Sequence, residues 1–200
     1  MMKRKLLMIL LACVTVLALT ACGEKGEMEL SEDSGASVQY DTEEVTEENL
    51  FSEMQKAYLL MSLTDSWSTE LIFQDDGSFE GTWHNDTGDG SFMYVFTGSF
   101  SEPARIDDHR FSLKLDSAVV KSAEEAGGPE DGTQYQETDV PEGFADTDEF
   151  YLFLPGTTVR EISKTASESS LFALGYSAAD TLDCYVLVNP ATQEAFAGTD

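Results

Sequence analysis

The side chains able to do chemistry fall in a few short stretches. His84, Asp86 and Asp89 lie within six residues of one another, where two carboxylates, an imidazole and backbone carbonyls can surround a divalent cation such as Ca²⁺, which takes about six to eight oxygens from flexible loops. The spacing is not that of an EF-hand, because with Asp86 as first ligand the twelfth residue is Thr97 rather than Glu. A polar hairpin loop uses the same residue types and is the preferred reading of this stretch, with the cation site as the alternative. His109 follows Asp107-Asp108, where a carboxylate can orient an imidazole as a general base, yet these are also residues a β-turn favours. The chain holds no G-x-S-x-G and no H-E-x-x-H, so neither His comes with a nucleophile or a zinc partner in a recognised spacing. No catalytic residue is assigned on this basis.

Trp67, Trp83, Tyr94 and Phe96 are the aromatics best placed to line the mouth of a β-barrel and receive a small apolar or carbohydrate-like ligand. The competing role is to fill the core. Cys184 alternates with Leu182, Val186 and Val188 on one strand face, which reads as a small buried hydrophobe in preference to a reactive thiol.

The elements that must position these residues are mostly strands. Trp67 to Phe73 alternates apolar and polar residues, Asp75-Asp76-Gly77-Ser78 turns the chain, and Phe79, Gly81 and Trp83 resume the alternation. Asp-Gly between two such runs is a strong hairpin signal, and it turns Glu70 and Glu80 outward. Further strands are expected at Phe92–Phe100, with Gly98 as a bulge or close-packing point, and around Phe111, Leu113 and Leu115, after turns at Pro103 and Asp107-Asp108. Phe150 to Leu154 is apolar on both faces and reads as a central strand stopped by Pro155-Gly156. Strands are also expected at Leu171–Tyr176 and Leu182–Val188, with a closing edge strand around Ala195-Phe196-Ala197. A short helix near residues 46–57, capped by Thr46, precedes them, since Leu50, Phe51, Met54, Ala57, Tyr58 and Met61 share one face. Residues 121–148 form a long acidic loop with Pro129 and Pro141, of the kind that is functional or disordered. About seven to nine locally connected strands predict an all-β domain, a small up-and-down antiparallel barrel of calycin-like form, with a β-sandwich as the alternative.

The beginning of the chain has a different character. Lys3, Arg4 and Lys5 precede the apolar run Leu6–Leu19, and Thr20-Ala21-Cys22 ends it, which is the layout of a secretory signal. Crossing a bilayer takes about 20 apolar residues, and Leu6 to Ala21 supplies sixteen. Leu19-Thr20-Ala21-Cys22 resembles the lipobox of bacterial lipoproteins. That resemblance implies cleavage after residue 21 and a diacylglycerol on Cys22, two acyl chains that suffice for stable anchoring. The expected organisation is therefore a signal peptide over 1–21, a lipidated Cys and acidic linker over 22–49, and one β domain over 50–200. Cys184 would then be left with no cysteine to pair with, and the fold rests on its core.

Charge narrows the partners. The full chain has 11 Lys+Arg against 38 Asp+Glu, a formal net charge of −27, and losing Lys3, Arg4 and Lys5 with the leader takes it to −30. Such a field repels nucleic acid phosphates and anionic head groups and draws cations, so nucleic acid is not an expected partner. Residues 23–49 carry ten Asp+Glu and one Lys without a steady apolar period. They read as a self-repelling tether with a typical span of about 30 Å.

Trp67-Ser68-Thr69-Glu70-Leu71, Asp76-Gly77-Ser78-Phe79-Glu80-Gly81, Gly98-Ser99-Phe100 and Phe150-Tyr151-Leu152-Phe153-Leu154-Pro155-Gly156 follow one another in an order that resembles a group of uncharacterised secreted lipoproteins of Gram-positive, Clostridia-type anaerobes. The likeness spans residues 59–198. It implies a location and a fold and carries over no catalytic residue, since the group has no assigned activity. The expected function is that of a monomeric lipoprotein on the outer face of the cytoplasmic membrane, acting as an extracytoplasmic binding module for a small ligand. A cell-envelope protein-interaction domain is the alternative, and a metal-dependent hydrolase ranks behind both. No cofactor is expected beyond the covalent diacylglycerol, with Ca²⁺ at His84, Asp86 and Asp89 the one ion considered.

Overall fold

The computed structural model describes residues 44–64, 66–127 and 132–199. Contacts divide the chain into Met1–Asp41, which lies outside the described residues with the leader and Cys22, and Thr42–Asp200, which carries the structure described below. The strands are β1 (Ala57–Met61), β2 (Trp67–Phe73), β3 (Ser78–Thr87), β4 (Gly90–Asp107), β5 (Arg110–Val120), β6 (Gln134–Tyr135), β7 (Glu149–Phe153), β8 (Val186–Asn189) and β9 (Glu194–Thr199). Helices α1 (Leu50–Glu53), α2 (Val159–Ile162) and α3 (Glu168–Ala173) are short.

Eight of these strands pair antiparallel with their neighbours in chain order, and β1 pairs with β9 through Ala57↔Thr199 to Leu59↔Ala197, which closes an up-and-down barrel. The two-residue β6 lies parallel on β4 outside this ring. The alternation in β2 and β3 sends Leu71, Phe73, Phe79 and Trp83 inward and leaves Glu70 and Glu80 exposed, with Glu80 Oε2 accepting from Lys121 Nζ at 2.9 Å. Gly81 sits opposite Phe96, and Gly98 opposite Phe79. A Cβ at either glycine would come within 2.3 Å of the facing ring, so the missing side chains are what let large rings lie flat across the strands.

Several elements differ from the sequence expectation. The first helix is one turn, capped by Asn49 rather than Thr46, and Met54 is already extended. The cause is the double pairing of β1, which claims Ala57–Met61 for the ladder between β2 and β9. Ala195-Phe196-Ala197 is not an edge, because β9 is bonded on both sides. The chain does not turn at Pro103. β4 runs through it to Asp107 and takes up the proline in a bulged stretch, with register shifts between Ser101 and Ala104 and Glu102 at φ 50°. Leu171–Tyr176 is not a strand: Leu171 to Ala173 end α3. The Ser167 hydroxyl accepts from Ser170 N–H at 3.1 Å to start that helix. Gly175 at φ 89° ends it, with Gly175 N–H and Tyr176 N–H returning to the carbonyls of Phe172 and Leu171, a Schellman stop.

Two apolar layers result. Inside the barrel are mainly aromatic rings and leucines from all around the ring. Outside, Val159, Ile162, Ala166 and Leu171 of the α2–α3 segment cover Phe153, Val186, Val188, Ala195 and Ala197, which is why β7 to β9 are apolar on both faces. Backbone bonds from Leu182 N–H to Thr157 and from Gly156 N–H to Leu182 close the base of this segment, and bonds from Ser167 N–H to the Gln193 carbonyl and from Ala195 N–H to Ser170 Oγ fasten it to the barrel at β9.

Candidate functional site

The barrel mouth is occupied by the chain itself. Residues 141–146, within the long acidic loop, cross one end of the barrel and insert Phe144. Its ring centroid lies 5.4 Å from those of Phe79 and Phe96, 5.5 Å from Phe150, 5.6 Å from Phe196 and 6.4 Å from Phe100. Asn189 Nδ2 donates to the carbonyls of Gly143 (3.0 Å) and Ala145 (2.9 Å), and Glu142 N–H donates to Tyr94 Oη at 2.7 Å. Gly143 holds φ 91°, and a Cβ there would strike the Phe196 ring. The backbone can bend tightly enough to seat Phe144 only because this residue is glycine.

Of the four aromatics read as barrel-mouth residues, Trp83, Tyr94 and Phe96 belong to this interior packing. Trp83 stacks on Tyr94 at 4.9 Å with a 12° interplanar angle, and Phe96 is fully buried. Burial pushes the Tyr94 hydroxyl up to about 12 against the opposing effect of the Glu142 N–H bond, so it stays protonated while it accepts the loop's N–H. Trp83 Nε1 and Thr69 Oγ1, on residues opposite each other in β2 and β3, are buried without a hydrogen bond. Trp67 alone lines an open groove, of about 240 Å³ with Ser167, Ser170 and Glu194.

His84 and Asp86 lie on β3, which runs through to Thr87, so the expected loop is a two-residue turn at Gly88-Asp89. Asp86 Oδ1 accepts from Ser91 Oγ at 2.5 Å and Asp89 N–H donates to Thr87 Oγ1 at 3.2 Å. Among the described residues no group of three or more His, Cys, Asp or Glu side chains is arranged to hold a metal ion. His109 lies in the β4–β5 turn, where its N–H donates to Asp107 Oδ1 at 3.0 Å. Its carbonyl accepts from Leu154 N–H and Thr157 Oγ1. Cys184 is buried in the outer layer with Leu182, Val186 and Val188, and its Sγ lies 3.0 Å from Tyr176 Oη. Cys22 lies outside the described residues. No helix among the described residues is long and apolar enough to cross a membrane.

Two open concavities lie away from α3, one of about 440 Å³ beside Lys121, Glu125 and Glu137 with mostly polar walls and one of about 290 Å³ at the β4–β5 turn with Asp107, His109 and Lys164, while three with more apolar walls gather around α3. One, of about 470 Å³, lies beside β1 and β9 and the turn after α3, with Gln55, Leu59, Met61, Leu174, Tyr176 and Asp183 in its wall. A second, of about 380 Å³, is lined by Leu63, Val159, Leu171, Phe172 and Tyr176. Phe172 is 69% exposed and Leu63 56% exposed at its rim. The Trp67 groove takes Ser167, Ser169 and Ser170 from the same segment. In the first groove Tyr176 Oη donates to Asp183 Oδ1 at 2.8 Å. Burial first, then its bonds with Cys184 and Asp183, hold the Tyr176 hydroxyl well above the ordinary tyrosine value, so it remains a donor.

Reading 171–176 as a strand hid this site. The signal was present in Ser167 and Gly175, a helix start and a helix stop, around a segment short enough for its apolar run to mimic a strand. No family model matches the chain, and no curated protein or solved structure matches it.

Proposed function

We propose that the chain is a lipid-anchored extracytoplasmic binding module, held at the outer face of the cytoplasmic membrane through Cys22, which takes a small ligand on the outside of its barrel at the grooves around α3. The observation that carries this reading is the contrast between a lumen packed with Phe144 and its ring neighbours and open concavities of about 470 and 380 Å³ on the outer wall. Ligand sites are concavities of roughly 300–1,000 Å³ with apolar walls and a few convergent polar groups, and the groove containing Gln55, Tyr176 and Asp183 fits that description. The leader and the acidic stretch after Cys22 support the anchoring and the standoff from the membrane.

The test is a thermal-shift screen of the full chain in detergent against sugars, fatty acids, amines and divalent cations, repeated on Ala173→Trp, which fills the larger groove, and on Trp83→Phe, which alters the lumen. A saturable shift lost in Ala173→Trp and kept in Trp83→Phe is expected. The reverse pattern would return the site to the lumen. Anchoring is tested separately: Cys22→Ala should abolish labelling by a fatty acid, and normal labelling would refute it.

Phe172 favours a second reading. A phenyl ring exposed at the rim of an apolar groove beside Leu63 is a protein-contact feature, and an envelope protein retained by the wild type but not by Phe172→Ala, with no small-molecule shift, would favour it.

A further inference from the structure

The groove of about 470 Å³ has an asymmetric charge lining. Among the described residues Asp183 is the one acidic residue of its wall, and no Lys, Arg or His contributes to it. Asp183 Oδ1 is held by Tyr176 Oη at 2.8 Å, and among the described residues Asp183 forms no ion pair. Leu59, Met61, Ala173 and Leu174 give the same groove an apolar wall. Gln55 is committed, since its Oε1 accepts from Tyr185 N–H at 3.0 Å and ties the groove to the start of β8.

These features discriminate among ligands. An anion would meet a carboxylate inside a chain of net charge −27. A bare metal ion would find one carboxylate where a stable site needs several donors, and no group of three such side chains is assembled among the described residues. A neutral apolar molecule would use the apolar wall alone and leave the Asp183 carboxylate, which is exposed to water, without a ligand partner. A positively charged amine on an apolar body satisfies both halves of the groove.

We infer that this groove binds a small organic cation, a primary amine whose ammonium meets the Asp183 carboxylate and whose apolar body lies along Leu59, Met61 and Leu174. The inference rests on the outer-groove reading above and names its ligand class. Tyr176 is a positioning residue, because its hydroxyl holds one carboxylate oxygen and thereby orients the other.

Calorimetric titration of the full chain in detergent with 2-phenylethylamine and with its neutral isostere 2-phenylethanol tests it. The amine should bind about twofold to fivefold more tightly, the contribution of one solvent-exposed ion pair. Asp183→Asn keeps an acceptor for Tyr176 and should erase that preference. Asp116→Asn removes an equal charge from exposed β5 and should leave it intact. Ala173→Trp should abolish binding of both probes. Equal binding of the two probes, lost in Ala173→Trp, would overturn the cation inference and leave the groove reading standing. A preference that survives Asp183→Asn would assign the attraction to the general acidic field and overturn the inference. Amine binding untouched by Ala173→Trp, or no amine binding at millimolar concentration, would also overturn it. The first of these two would count against the groove as well.

Discussion

The inside of the barrel and the layer on its outside are both apolar, yet they are built differently. The inside is a closed ring of large aromatics, each held by neighbours on several strands, with Phe144 touching five other rings at its centre. The outside is mainly aliphatic, made of Val, Ile, Leu and Ala side chains with Phe153 and Cys184, under two short helices that meet the barrel along one face. A ring of strands hydrogen-bonded on both sides cannot give locally without breaking ladder bonds. A strap of one-turn helices can, because its packing rests on a few side chains and its own helices are too short to hold alone. The interior therefore serves stability, and the concavities open where the outer layer ends.

The largest way to break this comparison is Phe144→Ala. Removing this buried ring should cost about 3–5 kcal/mol, measured by urea denaturation, and should create a lumen that takes up a small aromatic such as indole. A cost below about 1 kcal/mol would show that the loop does not seal the barrel. Next comes Leu171→Ala in the outer layer, expected at about 2–3 kcal/mol because the strap can settle into the space. Amide exchange over residues 159–176 should speed up more than in β2–β5. A cost equal to that of Phe144→Ala would erase the distinction between the layers.

A smaller effect concerns pH. Partial burial and the nearby Glu194 raise the Glu142 carboxyl above the ordinary glutamate value. The folded state thus holds this proton more tightly than the unfolded chain. Its contribution to stability is full below the unfolded value and is lost as pH rises through the folded one. Glu142→Gln should flatten stability over the window just above the ordinary glutamate range, as read from urea midpoints across pH, and an unchanged profile would place the loss elsewhere. Phe172→Ala should change stability least, within about 0.5 kcal/mol, since the ring is exposed. A larger loss would mean that Phe172 belongs to the outer core.

Much of the barrel was legible because its strands carry local signals. The Asp76-Gly77 hairpin, the inward Phe73 and Phe79 and the outward Glu70 and Glu80 follow from period-two alternation and turn chemistry. Gly98 was legible as a close-packing point. Phe144 was not, because one aromatic in a loop rich in Gly and acid has no periodic partner and its five neighbours come from β3, β4, β7 and β9. The aromatics chosen for a binding mouth were in the right strands, but Trp83, Tyr94 and Phe96 pack into the interior. The α3 grooves were missed when Leu171–Tyr176, the end of α3 and the turn after it, was read as a strand.

The sequence by itself determined the alternation of the strands, the turns between most of them, the acidic excess and the leader-like start, since each is written in neighbouring residues. Only the tertiary structure decided that β1 meets β9, that Phe144 fills the barrel, and that Tyr176 and Asp183 share a groove with Leu59 and Met61. Those pairings join residues far apart in the chain, and their energy comes from burial and closure, which no local pattern encodes.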